Sequence, residues 1–169
     1  MTGVGPPAKP VWERKLELLL QLYGHRNWIV VADSAYPAQS KPGIETIVVG
    51  EDQIPVVQKV LDVIVTARHV RANVYTDREL SFVAENDAPG IEDYRRQLDA
   101  ELYGSRVLEL PHEQIIAKLD KSAEVFNIVI IKTDMIIPYT SVFFELDCGY
   151  WTAEAEEHLR QAMLVADSK

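Results

Sequence analysis

A run of five apolar residues, Trp28-Ile29-Val30-Val31-Ala32, is bracketed by Gly24-His25 on one side and Asp33 on the other. The run is too short for a typical helix and has no polar alternation. It therefore reads as a strand buried on both faces, the kind found in sheets covered by helices. An amphipathic helix pattern precedes it and stops at Gly24. His25 and Asp33 thus lie at opposite ends of one buried strand. Eight residues of extended chain cover roughly 26 Å. One strand alone does not bring the two side chains together, so a site using both requires a neighbouring subunit or a bent chain.

The rest of the chain repeats the strand–helix alternation. Val11–Tyr23 is the first helix, with Leu16, Leu19, Leu20 and Tyr23 at helical spacing. Ile44–Val49 is a second strand. Pro55 opens a helix reaching about His69, since a proline's missing N–H costs nothing at the first helical position. Ala72–Tyr75 is a strand, and Asp77 caps a short helix through Val83. After the Asn86–Gly90 turn come a helix at Glu92–Tyr103 and a strand at Val107–Leu110, and Pro111 opens a helix to Ser122. Ile128–Ile131 and Val142–Leu146 are strands. Thr152 caps a closing helix whose Glu154 and Glu156 suit its positive end. The expected fold is a three-layer α/β/α domain with a mostly parallel, mixed sheet, spanning residues 11–169. Residues 1–10, rich in Gly and Pro, form a flexible arm.

Charge and cysteine content narrow the function. The net charge of −9 opposes non-specific binding to nucleic acid or anionic membrane, because the long-range field repels phosphate. No apolar run approaches the roughly 20 residues of a membrane span, and the start lacks a signal-peptide pattern. Cys148 is alone, so there is no intrachain disulfide or paired-cysteine metal site, and a reducing, cytoplasmic location is expected. No Gly-rich phosphate loop, HExxH or GxSxG occurs, so neither metal nor cofactor is implied.

In open α/β sheets, ligands gather outside the carboxyl ends of strands. Asp33, His112, Lys132 with Thr133, and Tyr139 all follow strands in this way. A carboxylate, an imidazole, an ammonium and a phenol at one edge suit proton transfer on a neutral polyhydroxylated molecule. Each also has a plainer role. Asp33 can cap a turn, His112 can be a first-turn helix residue, and Tyr139 can pack beside Pro138. His25 can be a cation at a helix C-terminus. His69 and His158 fall in helical patterns as surface residues.

Two segments resemble the D-ribose pyranase / L-fucose mutarotase family (RbsD/FucU). Gly24-His25-Arg26-Asn27-Trp28-Ile29-Val30-Val31-Ala32-Asp33-Ser34-Ala35-Tyr36-Pro37 is similar to its first motif, approximately GHxDxIVIADAxxP. Lys132-Thr133-Asp134-Met135-Ile136-Ile137-Pro138-Tyr139-Thr140-Ser141 is similar to its late motif, approximately RTGExxPYxN. Leu110–Glu113 falls where the ribose branch carries a sugar-contacting His. The resemblance implies a cofactor-free sugar isomerase acting on a pentose or deoxyhexose. It implies His25 as general acid, and Asp33, His112, Tyr139, Thr140 and Ser141 as sugar contacts, with Lys132 a possible addition. It also implies a homo-oligomer with the site between subunits. Asn27, Asp134, Met135 and Ser141 depart from the family pattern. A non-catalytic sugar-binding or transport-associated protein of the same fold is the alternative.

Overall fold

The structure, a computed structural model, describes residues 3–169. Residues 3–10 carry no helix or strand, and residues 1 and 2 of the expected arm lie outside the described residues. Five helices follow in order with six strands: α1 (Val11–Leu22), β1 (Trp28–Ala32), β2 (Ile44–Val48), α2 (Gln53–Thr66), β3 (Val70–Asp77), α3 (Ile91–Glu101), β4 (Val107–Leu110), α4 (His112–Ala123), β5 (Ile128–Lys132), β6 (Val142–Cys148) and α5 (Ala153–Asp167). A 3₁₀ turn, Arg78–Phe82, separates β3 from α3.

The six strands form one sheet in the order β2-β5-β1-β6-β3-β4. All pairings are parallel except those of β6, which runs antiparallel between β1 and β3. The sheet is mixed and mostly parallel, as the strand–helix alternation predicts. Register decides what meets at each edge. Ala32 pairs with Lys132, and Lys132 with Val48. Val142 pairs with both Val31 and Thr76, and Asp77 with Leu110. The carboxyl ends of the parallel strands and the start of β6 therefore lie level at one edge.

Period-two alternation divides the core into two layers. Ile29 and Val31 of β1 join Val129, Ile131 and Phe144 under α1, α2 and α3. Trp28, Val30 and Ala32 face the other way, with Ile128, Ile130 and Phe143 under Ile115 and Leu119 of α4. The result is the expected α/β/α arrangement. Trp28 stacks on Tyr75 with centroids 5.5 Å apart and donates its indole N–H to Ser122 Oγ. Leu16 and Leu20 are buried, and truncating either to Ala should cost about 2–5 kcal/mol. α5 buries no residue in either layer, although Thr152 caps it through the Ala155 N–H as expected.

Several boundaries differ from the sequence reading. α2 begins at Gln53, so Pro55 is its third residue; its missing N–H is still harmless in a first turn. β3 runs from Val70 to Asp77, longer than its apolar centre suggests, because both flanking strands supply backbone partners. At Gly149 the chain leaves β6 against the start of β3. A Cβ there would lie 2.7 Å from the Arg68 carbonyl oxygen and 2.8 Å from the Val70 nitrogen, so only glycine fits. Among the described residues no helix is long and apolar enough to cross a membrane.

Candidate functional site

Three of the predicted residues meet at the level edge of the sheet. Asp33 leaves β1, His112 opens α4 after β4, and Tyr139 comes from the loop entering β6. Together with Tyr36, Gln39 and Glu113 they line a cavity of about 280 Å³. That is near the lower end of small-molecule sites, suited to a small ligand. No Lys or Arg lines it.

Each side chain is held from behind. Ser141 Oγ donates to Asp33 Oδ1 at 2.8 Å and accepts the Asp33 backbone N–H at 3.2 Å. Ser141 is thus buried beneath the cavity, orienting Asp33. His112 Nδ1 lies 3.0 Å from both carboxylate oxygens of Asp77. The His112 backbone N–H reaches both oxygens of Glu79, at 3.1 and 3.0 Å. The Tyr139 ring meets the His112 ring edge-on, centroids 5.8 Å apart.

Tyr139 has φ +60°, a left-handed conformation that a non-glycine residue adopts only under constraint. The constraint is a buried polar network. Gln53 Nε2 donates to the carbonyls of Val31 (3.1 Å) and Thr140 (2.9 Å), and Tyr94 OH donates to Thr140 at 2.6 Å. Thr133 Oγ1 lies 2.7 Å from Gln53 Oε1. Thr140 itself is fully buried, its hydroxyl donated to Ile137 O. It belongs to the support of the loop, not to the cavity lining. Lys132 ends β5 level with Ala32 but does not line this cavity.

Asp77 is the residue that sequence reasoning misplaced. It precedes the 3₁₀ turn but makes no side-chain capping bond there. Its carboxylate turns to His112 and is only 2 % exposed. Burial pushes the carboxyl up to about 6, although the hydrogen bond from His112 pulls the other way. The strand-end rule that selects Asp33 also selects Asp77, since β1 and β3 both run antiparallel to β6 and end level. Tyr36 was also missed. Its ring lines the cavity, and its buried hydroxyl has no hydrogen-bond partner among the described residues.

His25 lies elsewhere. It precedes β1, so the length of that strand, roughly 15 Å, separates it from the Asp33 edge. There His25 Nδ1 is 2.8 Å from Asp147 Oδ1, and Arg71 Nη2 is 3.0 Å from Asp147 Oδ2. Burial alone would raise the Asp147 carboxyl. Hydrogen bonds from Arg71, the Cys148 N–H and His25 outweigh it and hold the carboxyl below the usual range. His25, Asn73, Ser122, Glu145 and Asp147 line a separate cavity of about 380 Å³. One chain therefore does not unite His25 with Asp33, as strand geometry predicts.

Asn27 fixes the His25 loop. Its Oδ1 accepts the Gly24 N–H at 2.8 Å, and its Nδ2 donates to Asn127 O at 3.0 Å. An Asp at this position could make only the first bond. His69, expected on the surface, is half-buried, with Nε2 2.9 Å from the Tyr23 carbonyl at the end of α1. His158 is exposed, as expected.

Comparison with known proteins agrees with this architecture. Residues 8–148 match the RbsD / FucU transport protein family. RbsD of Bacillus subtilis, solved with D-ribose, has 19% identity and a TM-score of 0.55, the match covering 84% of this chain and 98% of that one. FucU of Bifidobacterium longum has 14% identity and a TM-score of 0.53, covering 79% and 94%. The fucose mutarotase of Streptococcus pneumoniae, solved with L-fucose, has 19% identity and a TM-score of 0.51, covering 87% and 98%. No curated protein matches the sequence. At these identities the likeness to solved structures establishes the fold. α5 lies beyond the family match.

Proposed function

The chain belongs to the RbsD / FucU transport protein family, and from that premise we propose that it interconverts cyclic forms of a pentose or deoxyhexose in the Asp33–His112–Tyr139 cavity. The reaction opens the hemiacetal ring and recloses it, with no cofactor. The observation that carries this reading is the convergence of a carboxylate, an imidazole and a phenol ring on one small cavity without a lining cation. Two structural neighbours were solved with D-ribose and with L-fucose, which supports a monosaccharide ligand. The absence of a lining Lys or Arg favours an uncharged sugar over a phosphorylated one.

Ring opening takes a proton from the anomeric hydroxyl and gives one to the ring oxygen. Asp33, pre-set by Ser141, accepts hydrogen bonds from sugar hydroxyls, and Tyr139 offers a ring face and a hydroxyl. Holding the hydroxyls in place supplies alignment. The ring-oxygen proton comes from His25 of a second copy, because the chain's own His25 lies at the far end of β1. Thr140 and Lys132 act, on this reading, through loop support and edge electrostatics. The working form is a cytoplasmic homo-oligomer.

A specific observation favours a second reading, a sugar-binding protein without turnover: Asp134, Met135 and Ser141 depart from the family's late motif. Magnetisation-transfer NMR across pentoses, hexoses and deoxyhexoses separates the two. Accelerated exchange between ring forms is the expected result. Ligand shifts without acceleration would leave the binding reading.

A further inference from the structure

We propose that His112 is the group that takes the anomeric hydroxyl proton, working from Nε2, and that Asp77 is the positioning residue that makes it so. This assignment rests on the sugar-isomerase reading of the same cavity and gives that reaction the base it needs.

The geometry separates His112 from its neighbours. Asp33 is already engaged, its Oδ1 taken by Ser141, and it is set to accept from hydroxyls. The His112 ring is committed only at Nδ1. Both oxygens of Asp77 lie 3.0 Å from that nitrogen, and Asp77 is buried, so its carboxylate has no water to turn to. An ionised carboxylate can only accept, so Nδ1 must carry the proton. Neutral imidazole then has its lone pair at Nε2. Among the described residues nothing hydrogen-bonds Nε2, and the ring lines the cavity.

Rotation of the ring is restrained at three points. Glu79 holds the backbone N–H at the start of α4, Asp77 holds Nδ1, and the Tyr139 ring packs against the imidazole. The strained φ of Tyr139 keeps that third contact in place. The ionisable groups that touch His112 or share its cavity are Asp77 from β3, Glu79 from the 3₁₀ turn, Asp33 after β1, Tyr36, Glu113 from α4 and Tyr139 from the β5–β6 loop; Arg78 lines the adjoining cavity with Glu79 and Tyr139. The groups in its own cavity are acidic or neutral, so they accommodate an imidazolium formed during the reaction.

The proton and electron count closes. Nε2 takes the proton of the anomeric hydroxyl. The O–H bonding pair becomes the second bond of the carbonyl. The ring C–O bond breaks, its pair goes to the ring oxygen, and that oxygen takes a proton from the acid. On reclosure the attacking hydroxyl returns a proton to the acid's conjugate base, and His112 returns its proton to the new anomeric oxygen. At low pH, protonation of Asp77 removes the constraint, since a carboxyl O–H can donate to Nδ1 and leave the proton on Nε2 instead.

The test uses the full chain with D-ribose and L-fucose as probes. Nitrogen-15 shifts of the His112 ring at pH 7.5 should show the proton on Nδ1. Asp77→Asn should give a mixture of tautomers, because its amide can donate or accept. Exchange should fall about 10²-fold or more, with KM changed less than about threefold. The parent's pH–rate profile should show an acid limb near pH 6, and the variant's should lack it. His112→Gln, which keeps an amide toward Asp77, should lose exchange by a similar factor, and it serves if Asp77→Asn does not fold. A parent with the proton on Nε2, or either variant exchanging within about threefold of an active parent, overturns this assignment and leaves the isomerase reading standing. A parent that exchanges no sugar overturns both.

Discussion

The two ends of β1 use the same residue types in opposite ways. At the carboxyl end an imidazole is backed by a buried carboxylate, and a strained tyrosine is held by an internal network of Gln53, Tyr94, Thr133 and Thr140. At the amino end His25 also meets a carboxylate, but its side chain is 54% exposed and Asp147 is shared with Arg71. The first end is built to fix a geometry before a ligand arrives. The second presents an exposed imidazole beside a shared carboxylate, and on the proposed reading it serves a neighbouring copy. The difference is what the proposed two-copy site rests on: the two ends of one strand cannot meet within one chain.

The largest expected effect lies at the exposed end. His25→Ala should lower ring exchange about 10²-fold or more while sugar affinity, measured by titration calorimetry, changes little. Equal rates in variant and parent would return His25 to a helix-end role and dissolve the comparison.

A second contrast concerns pH and stability. The folded Asp77 carboxyl is raised to about 6 from 3.8, so the native state holds this proton longer than the unfolded chain does. Its contribution to stability is full below about pH 4 and lost as pH climbs through about 6. Asp147 has the opposite sign, because its folded carboxyl is lowered; its contribution is present above the ordinary carboxylate range and lost on acidification. Denaturant titrations of Asp77→Asn should therefore gain on the parent between pH 4 and pH 7, by up to about 3 kcal/mol. A constant difference across that range would mean that Asp77 is not destabilised by its burial.

The support network sharpens the comparison further. Gln53→Leu removes the amide's bonds to the buried Val31 and Thr140 carbonyls and should cost about 1–3 kcal/mol. It should also weaken sugar binding by releasing Tyr139. Asp147→Asn, at the exposed end, should cost less than about 1 kcal/mol. Comparable losses for the two would show that the exposed pair is as rigid as the buried network.

How far the sequence carried differs between the two ends as well. β1 was readable to the residue because Trp28–Ala32 is apolar on both faces. The pattern marks only Ala72–Tyr75 of β3, since Arg71, Thr76 and Asp77 are polar and their pairing with β6 and β4 is set by tertiary structure. One rule about strand ends selects Asp33, His112 and Tyr139, which line one cavity. Asp77 obeys the same rule, but local sequence suggests a capping role, because its partner His112 is 35 residues away. The motif implies Ser141 and Thr140 as sugar contacts; their burial beneath the cavity is a tertiary fact that no local pattern carries. Asp147 was invisible beside His25 for the same reason, 122 residues apart in sequence.

The central claim is that His25 and the Asp33–His112 cavity act together across two chains. Mixing tests it most directly. His25→Ala and Asp33→Ala, each inactive alone, are unfolded together, refolded as a mixture and assayed for ring exchange. Random co-assembly leaves about a quarter of head-to-tail contacts with both parent residues, so roughly a quarter of the parent rate should return. A mixture that co-assembles yet stays as inactive as its components would contradict the claim.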